Sequence, residues 1–347
     1  MTDARSRVTL QDVADRAGVS ITTASRVVND GSRRVGAQLA QRVHRAVAEL
    51  GYTANLQARA VATGRSSLVG VVVHDVADPY FSSIAAGLIE AVGARELLVC
   101  MSAAPASEAA EREYVALMRA QRARAVVLIG SRTDDAAARA GLAEELAAFA
   151  RQGGRAVCVG QPLLGVDTIV PENAAGADAL ARALAALGHR RFAVLAGPRR
   201  LLTAQDRVEG FRAGLAAWSV RLAEACVVPG AFTRDGGYEA MSAILAGGPP
   251  PDCVFAVNDV MAVGALARLR AAGLAVPADI AVAGFDDILT LRDVTPPLTT
   301  VRLPLKRMGE MAANLVLSDG DPQRPRVVPV PGEVIIRDST LPRRPPG

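Results

Sequence analysis

Ser20, Ile21, Thr22, Thr23, Ser25, Arg26 and Asn29 fall close together in VSITTASRVVND, a stretch that is otherwise small and apolar. Arg26 offers the fork that pairs with a guanine edge, Ile21 suits a thymine methyl, and the hydroxyls suit phosphate oxygens. So small and polar a face fits a major groove about 12 Å wide. The competing reading is a helical hairpin docked on the rest of the protein, which would call for a more apolar face. A second set stands at the ends of apolar runs: His74 and Asp75, Gly160 and Gln161, Asn258 and Asp259, Asp286 and Asp287. Beyond the carboxyl ends of parallel strands, such groups are placed to hold a ligand. Catalysis finds little footing. GxxxxGK[ST], GxSxG, HExxH and a helix-opening GxGxxG are absent, and the histidines, 44, 74 and 189, are scattered. His74 alone ends a strand-like run, and without a partner it reads as a ligand contact or a structural residue. The chain reads as no enzyme, with no cofactor and no metal.

Two helices and a tight turn position the first set. Thr9 with Asp12 forms a capping pattern, and Leu10, Val13, Ala14 and Ala17 make one apolar stripe. Gly18 supplies the left-handed stop and Ser20 caps the next helix, in which Ala24, Val27 and Val28 face inward. A third helix turns Leu39, Val43, Ala46, Val47 and Leu50 inward and stops at Gly51. Together they predict a helix-turn-helix unit. From Leu68 onward the runs LVGVVV, LLVC, AVVLI, AVCVG, FAVLA, VFAV and IAVAGF alternate with helical stretches near 80–92, 106–121, 174–187, 204–217 and 259–272. That alternation predicts parallel sheets covered on both faces. The body is long for one such sheet and divides near 172.

Charge separates head from body. Residues 1–65 hold ten arginines against five acids, whereas the whole chain is only +4. The surplus points to a polyanion partner for the head; the bland source is arginine-rich usage, since Lys306 is the only lysine. A hydrophobic content of 50% excludes disorder. No apolar run approaches the roughly 18 residues of a membrane span, and MTDARSRVTLQD has no signal-peptide core. A cytoplasmic location without membrane contact is expected. Cys100, Cys158, Cys226 and Cys253 are far apart and form no CxxC pair. They read as buried small hydrophobes in a reducing compartment.

TLQDVADRAGVSITTASRVVN, followed by ELGYTANLQARAVATGRS, resembles the start of the lactose-repressor (LacI/GalR) family of bacterial transcription regulators, and the resemblance covers essentially the whole chain. It implies an all-α helix-turn-helix domain at 1–54, a hinge helix or linker at 55–66, and an α/β effector-binding and dimerisation domain at 67–342. The last would be periplasmic-binding-protein-like, with two parallel-sheet lobes. The first lobe is expected near 67–172 plus 300–325, the second near 173–299 plus 326–342. In the head the resemblance makes Ile21 and Thr22 a base-reading pair and Arg26 a guanine reader. Ser20, Thr23, Ser25 and Asn29 become backbone clamps, and Thr9 is placed with these DNA contacts. In the hinge, Asn55, Ala58 and Arg59 match a family helix that forms on DNA and wedges the minor groove open. Ala54 replaces the usual proline and Val61 the usual leucine wedge, and the shorter wedge is expected to kink DNA less well. A plain linker is the other reading of 55–65.

For the body the resemblance implies effector contacts by Tyr80 and Phe81 of DPYF, Arg207 of TAQDRVEGF, Phe232, Asn258 and Asp259 of AVNDVMAVGAL, and Asp286. His74 and Gln161 join them as strand-end residues, although Gly160 and Gln161 depart from the acidic or arginine-bearing family pattern. Arginine, carboxylate and amide over an aromatic floor suit a neutral polyhydroxylated ligand. A structural Arg207–Asp286 pair and a core Phe232 are the alternatives. The expected function is a sequence-specific DNA-binding regulator, a repressor, working at the bacterial nucleoid. It would bind a near-palindromic double-stranded operator as a homodimer, controlled by a sugar-like small-molecule effector in the interlobe cleft. A solute-binding protein or sugar-processing enzyme without DNA recognition is the alternative, and the former needs an export signal. TLPRRPPG shows no heptad repeat, so no tetramerising tail is expected.

Overall fold

Helices α1 (Leu10–Ala17), α2 (Ile21–Asp30) and α3 (Ala37–Leu50) form the head. The computed structural model describes residues 8–30, 35–53, 66–95, 97–104, 107–318 and 324–342. It divides into two units, 1–67 and 68–347. Thr9 N donates to Asp12 at 2.7 Å while the Thr9 hydroxyl accepts from Asp12 N at 3.3 Å, a reciprocal cap at the start of α1. Gly18, at φ 61, ends α1, and Ser20 Oγ accepts from Thr23 N at 3.1 Å to start α2. The core is Val13, Ala14, Ala17, Ala24, Val27, Ala40, Val43 and Ala46. One expectation fails here. Leu39 is 38% exposed and Ala40 is buried in its place, because a core of side chains no larger than valine closes best around an alanine.

In the body, six parallel strands form the first sheet, in the order β11 (Val327–Val330), β5 (Asp167–Pro171), β4 (Arg155–Val159), β3 (Ala125–Ile129), β1 (Leu68–Val73) and β2 (Leu98–Ala103). Alternate residues face opposite ways. Val69, Val71, Val73, Val127 and Ile129 join the cluster that includes α4 (Pro79–Gly93) and α11 (Leu305–Leu317). Val72, Val126 and Leu128 meet α5 (Glu108–Ala120) and α6 (Ala136–Arg151) on the other face. At the α4–α11 crossing the backbones touch: a Cβ on Gly87 would meet the Lys306 carbonyl, and one on Gly309 the Ile84 carbonyl.

The second sheet orders β7 (Val227–Pro229), β6 (Phe192–Gly197), β8 (Cys253–Ala256) and β9 (Ala281–Ala283), again parallel. Its helices are α7 (Asn173–Ala186), α8 (Leu202–Ala216), α9 (Arg234–Ala246) and α10 (Asp259–Ala271). An antiparallel pair, β10 (Thr300–Arg302) with β12 (Glu333–Ile335), accompanies the two sheets.

Three features differ from the sequence reading. Segment 327–330, expected in the second lobe, pairs in parallel with Asp167–Pro171 as the edge of the first sheet; the Asp167 carboxylate accepts from Arg326 N at 2.8 Å and fixes the register. Helices α6, α9 and α11 were not anticipated; in α6 the alanine-rich sequence shows little contrast between faces. The four cysteines are free thiols; Cys158 and Cys253 are buried, while Cys100 is exposed on β2, against expectation. Among the described residues no helix is long and apolar enough to cross a membrane.

Candidate functional site

On the head, α2 turns Ile21, Thr22 and Arg26 to solvent, Ile21 being 46% exposed. Thr23 and Ser25 are half-buried. The hydroxyls of Ser20 and Thr23 lie 2.9 Å apart, and that of Thr9 donates to Asp12 at 2.7 Å, so all three serve the caps. Hydrogen bonds from Thr9 hold the Asp12 carboxyl below its ordinary range. Two exposed head arginines have partners within the head: Arg16 pairs with Glu49 at 2.7 Å, and Arg42 donates to the Gly18 carbonyl at 3.1 Å. The Asn29 side chain and residues Asn55, Ala58, Arg59 and Val61 lie outside the described residues.

In the body, the strand ends of both sheets converge on a cavity of about 200 Å³. His74, Tyr80, Phe81, Arg207, Phe232, Asn258 and Asp286 line it, together with Gly160. Gln161 does not. With Gly160 at φ 154 the chain turns, and the Gln161 amide accepts from Arg132 N at 2.9 Å and donates to Thr203 at 3.0 Å.

Arg207, only 2% exposed, is fixed from every side. Its Nε donates to Asn173 at 2.9 Å, one terminal nitrogen to the Val257 carbonyl at 2.6 Å, and the other to Asp286 at 2.8 Å. The guanidinium lies 3.8 Å over the Phe285 ring. Asp286 occupies a positive φ of 118° and is anchored by its own N–H donating to Val301 O at 2.8 Å. Burial pushes Asp286 up to about 8 against the pull of Arg207. Behind it, Asp259 is pushed up to about 6 by burial, although Ile288 N and the Thr300 hydroxyl both donate to it. Asp78, whose side chain caps α4 through Tyr80 N at 2.9 Å, is also raised by burial, as is the Tyr80 phenol. Carboxyls that resist ionisation can exchange hydrogen bonds with hydroxyl groups.

The description "Bacterial regulatory proteins, lacI family" matches residues 9–55, and "Periplasmic binding protein-like domain" matches residues 181–340. The HTH-type transcriptional regulator CelR of Thermobifida fusca is 33% identical over 342 residues, spanning 96% of this chain and 99% of that protein. The chain belongs to the LacI family of bacterial DNA-binding transcriptional regulators. Two solved structures of LacI-family proteins agree. The lac repressor dimer bound to operator and the anti-inducer ONPF superposes with a TM-score of 0.82 at 28% identity, covering 96% of this chain and 99% of that one. A CelR–cellobiose complex gives a TM-score of 0.69 at 30% identity, covering 96% and 100%.

Sequence reasoning missed Ser131, Asn173, Thr203 and Thr233, all of which line the cavity. The strand-end rule, extended to AVVLIGS and DTIVPEN, selects Ser131 and Asn173. Thr233 caps α9 through Gly236 N at 3.0 Å, and Thr203 opens α8.

Proposed function

We propose that this regulator is a repressor that binds a near-palindromic operator as a dimer and is controlled by a neutral, single-ring polyhydroxylated effector in the body cavity. The observation that carries the effector class is the engagement of Arg207. It is the one guanidinium among the described lining residues, and Asp286, Asn173 and Val257 hold it. With that guanidinium already engaged, a phosphate or carboxylate would find no available arginine in the lining. Tyr80, Phe81 and Phe232 supply ring faces that suit the apolar face of a single sugar ring. About 200 Å³ is below the roughly 300–1,000 Å³ of drug-sized sites. That size supports a ligand smaller than the cellobiose in the CelR complex.

On the head, outward Ile21, Thr22 and Arg26 support base reading by α2. For the dimer, the support is the edge strand β2, which leaves Leu98 59% and Met101 43% exposed.

A thermal-shift panel of monosaccharides, nucleosides, disaccharides and sugar phosphates tests the effector class. The expected result is a rise in Tm with at least one neutral single-ring compound. A response confined to phosphorylated or two-ring sugars overturns it.

A further inference from the structure

We propose that Glu111 is a positioning residue that ties the wall of the ligand cavity to the seam between the lobes, with Arg132 as its partner. The proposal rests on the cavity being the effector site. The side chains of Glu111 and Arg132 are 1% and 0% exposed. The carboxylate takes both terminal nitrogens of Arg132, one of them at 2.8 Å. Its Oε1 also lies 3.5 Å from Nε2 of His74, whose ring lines the cavity and rests on the Gly130 backbone. One buried carboxylate therefore stands against a cavity wall, without a hydrogen bond to it, and binds the root of the loop at 130–135.

That loop holds the second lobe. The Arg132 carbonyl accepts from Leu202 N at 2.9 Å, and Thr133 forms an antiparallel bridge with Leu201. Ser131 Oγ accepts from Thr203 N at 3.0 Å, and Asp134 N donates to the Arg200 carbonyl at 3.0 Å. Gln161 completes the seam, accepting from Arg132 N and donating to Thr203 and, at 3.3 Å, to Asp206. These bonds all reach the start of α8, the helix that carries Arg207 into the cavity.

Stability does not account for the Glu111–Arg132 pair. Desolvating two charges is costly, and apolar replacements of such pairs are often neutral or stabilising. Arg132 Nε, moreover, has no hydrogen-bond partner among the described residues. What the pair does fix is the backbone of Arg132, on which the bonds to Gln161 and Leu202 hang. A molecule that shifts His74 thereby has a route through Glu111 to the Arg132 backbone, beside the direct one through Ser131, Leu201 and Thr203, which line the cavity themselves.

Hydrogen exchange of the full chain tests this without any effector. The readout is the Leu202 and Thr203 amides, with the β3 amides of Val126–Leu128 as the control for folding. In H74A, and separately in E111L/R132M, which replaces the charges by apolar groups, exchange at Leu202 and Thr203 should quicken about tenfold with the control unchanged. Unchanged seam exchange in either variant overturns the proposal. So does equal acceleration at the control, which would make the pair a general structural brace. A negative effector panel would leave the exchange result standing, so the two failures can be told apart.

Discussion

Asp259 makes the behaviour of buried acids measurable. Its carboxyl sits at about 6 in the folded protein against 3.8 for an ordinary aspartate, with burial as the cause. The folded state then holds the proton more tightly than the unfolded one, so stability falls as pH rises from about 4 to about 6 and is level above that. D259N keeps an acceptor for Ile288 N and a partner for the Thr300 hydroxyl, yet has nothing to ionise. Urea unfolding should show D259N gaining on the natural protein between pH 4 and pH 7, by up to about 3 kcal/mol. No gain would mean that Asp259 is solvated. On the head, R26A should weaken binding to a selected operator by about 1–3 kcal/mol while random-DNA binding persists, as a filter-binding competition would measure. Equal loss on both duplexes would reduce Arg26 to a phosphate contact. Arg26 was legible as an outward residue from the short stripe of α2, whereas Asp259, read from its strand end as a ligand contact, lies behind the cavity and is held by Ile288 N and Thr300. Gln161 was misjudged because a strand end fixes where a residue stands but not where its side chain turns.

Most elements with strong periodicity were legible, although α11, with its buried stripe of Leu305, Met308, Ala312 and Leu315, was not anticipated. The head helices announce themselves by caps and stripes, and the body strands by unbroken apolar runs. Helix α6, AAARAGLAEELAAFAR, hides because alanine suits either face, so no stripe stands out. Contact between backbones leaves a fainter trace, and the α4–α11 crossing depends on it. Gly309 meets the Ile84 carbonyl and Gly87 the Lys306 carbonyl, so neither position has room for a side chain. G309V should prise the helices apart and cost at least about 2 kcal/mol, seen as a lower Tm of the body. A variant melting like the parent would show that the crossing has slack.

At the scale of the whole molecule, chain order and spatial order part company. A division near 172 could be read from the alternation of strands and helices. The return of 327–330 to the first sheet could not, because its pairing with Asp167–Pro171 spans a separation that no local pattern records. That return has a consequence for synthesis. The lobe that leaves the ribosome first is the last to be completed. Until Leu305–Leu317 and Val327–Val330 emerge, one apolar side of Pro79–Gly93 is uncovered and Asp167–Pro171 is an open edge. A nascent chain stalled within the second lobe therefore displays the sticky surface and unpaired strand that chaperones and proteases act upon.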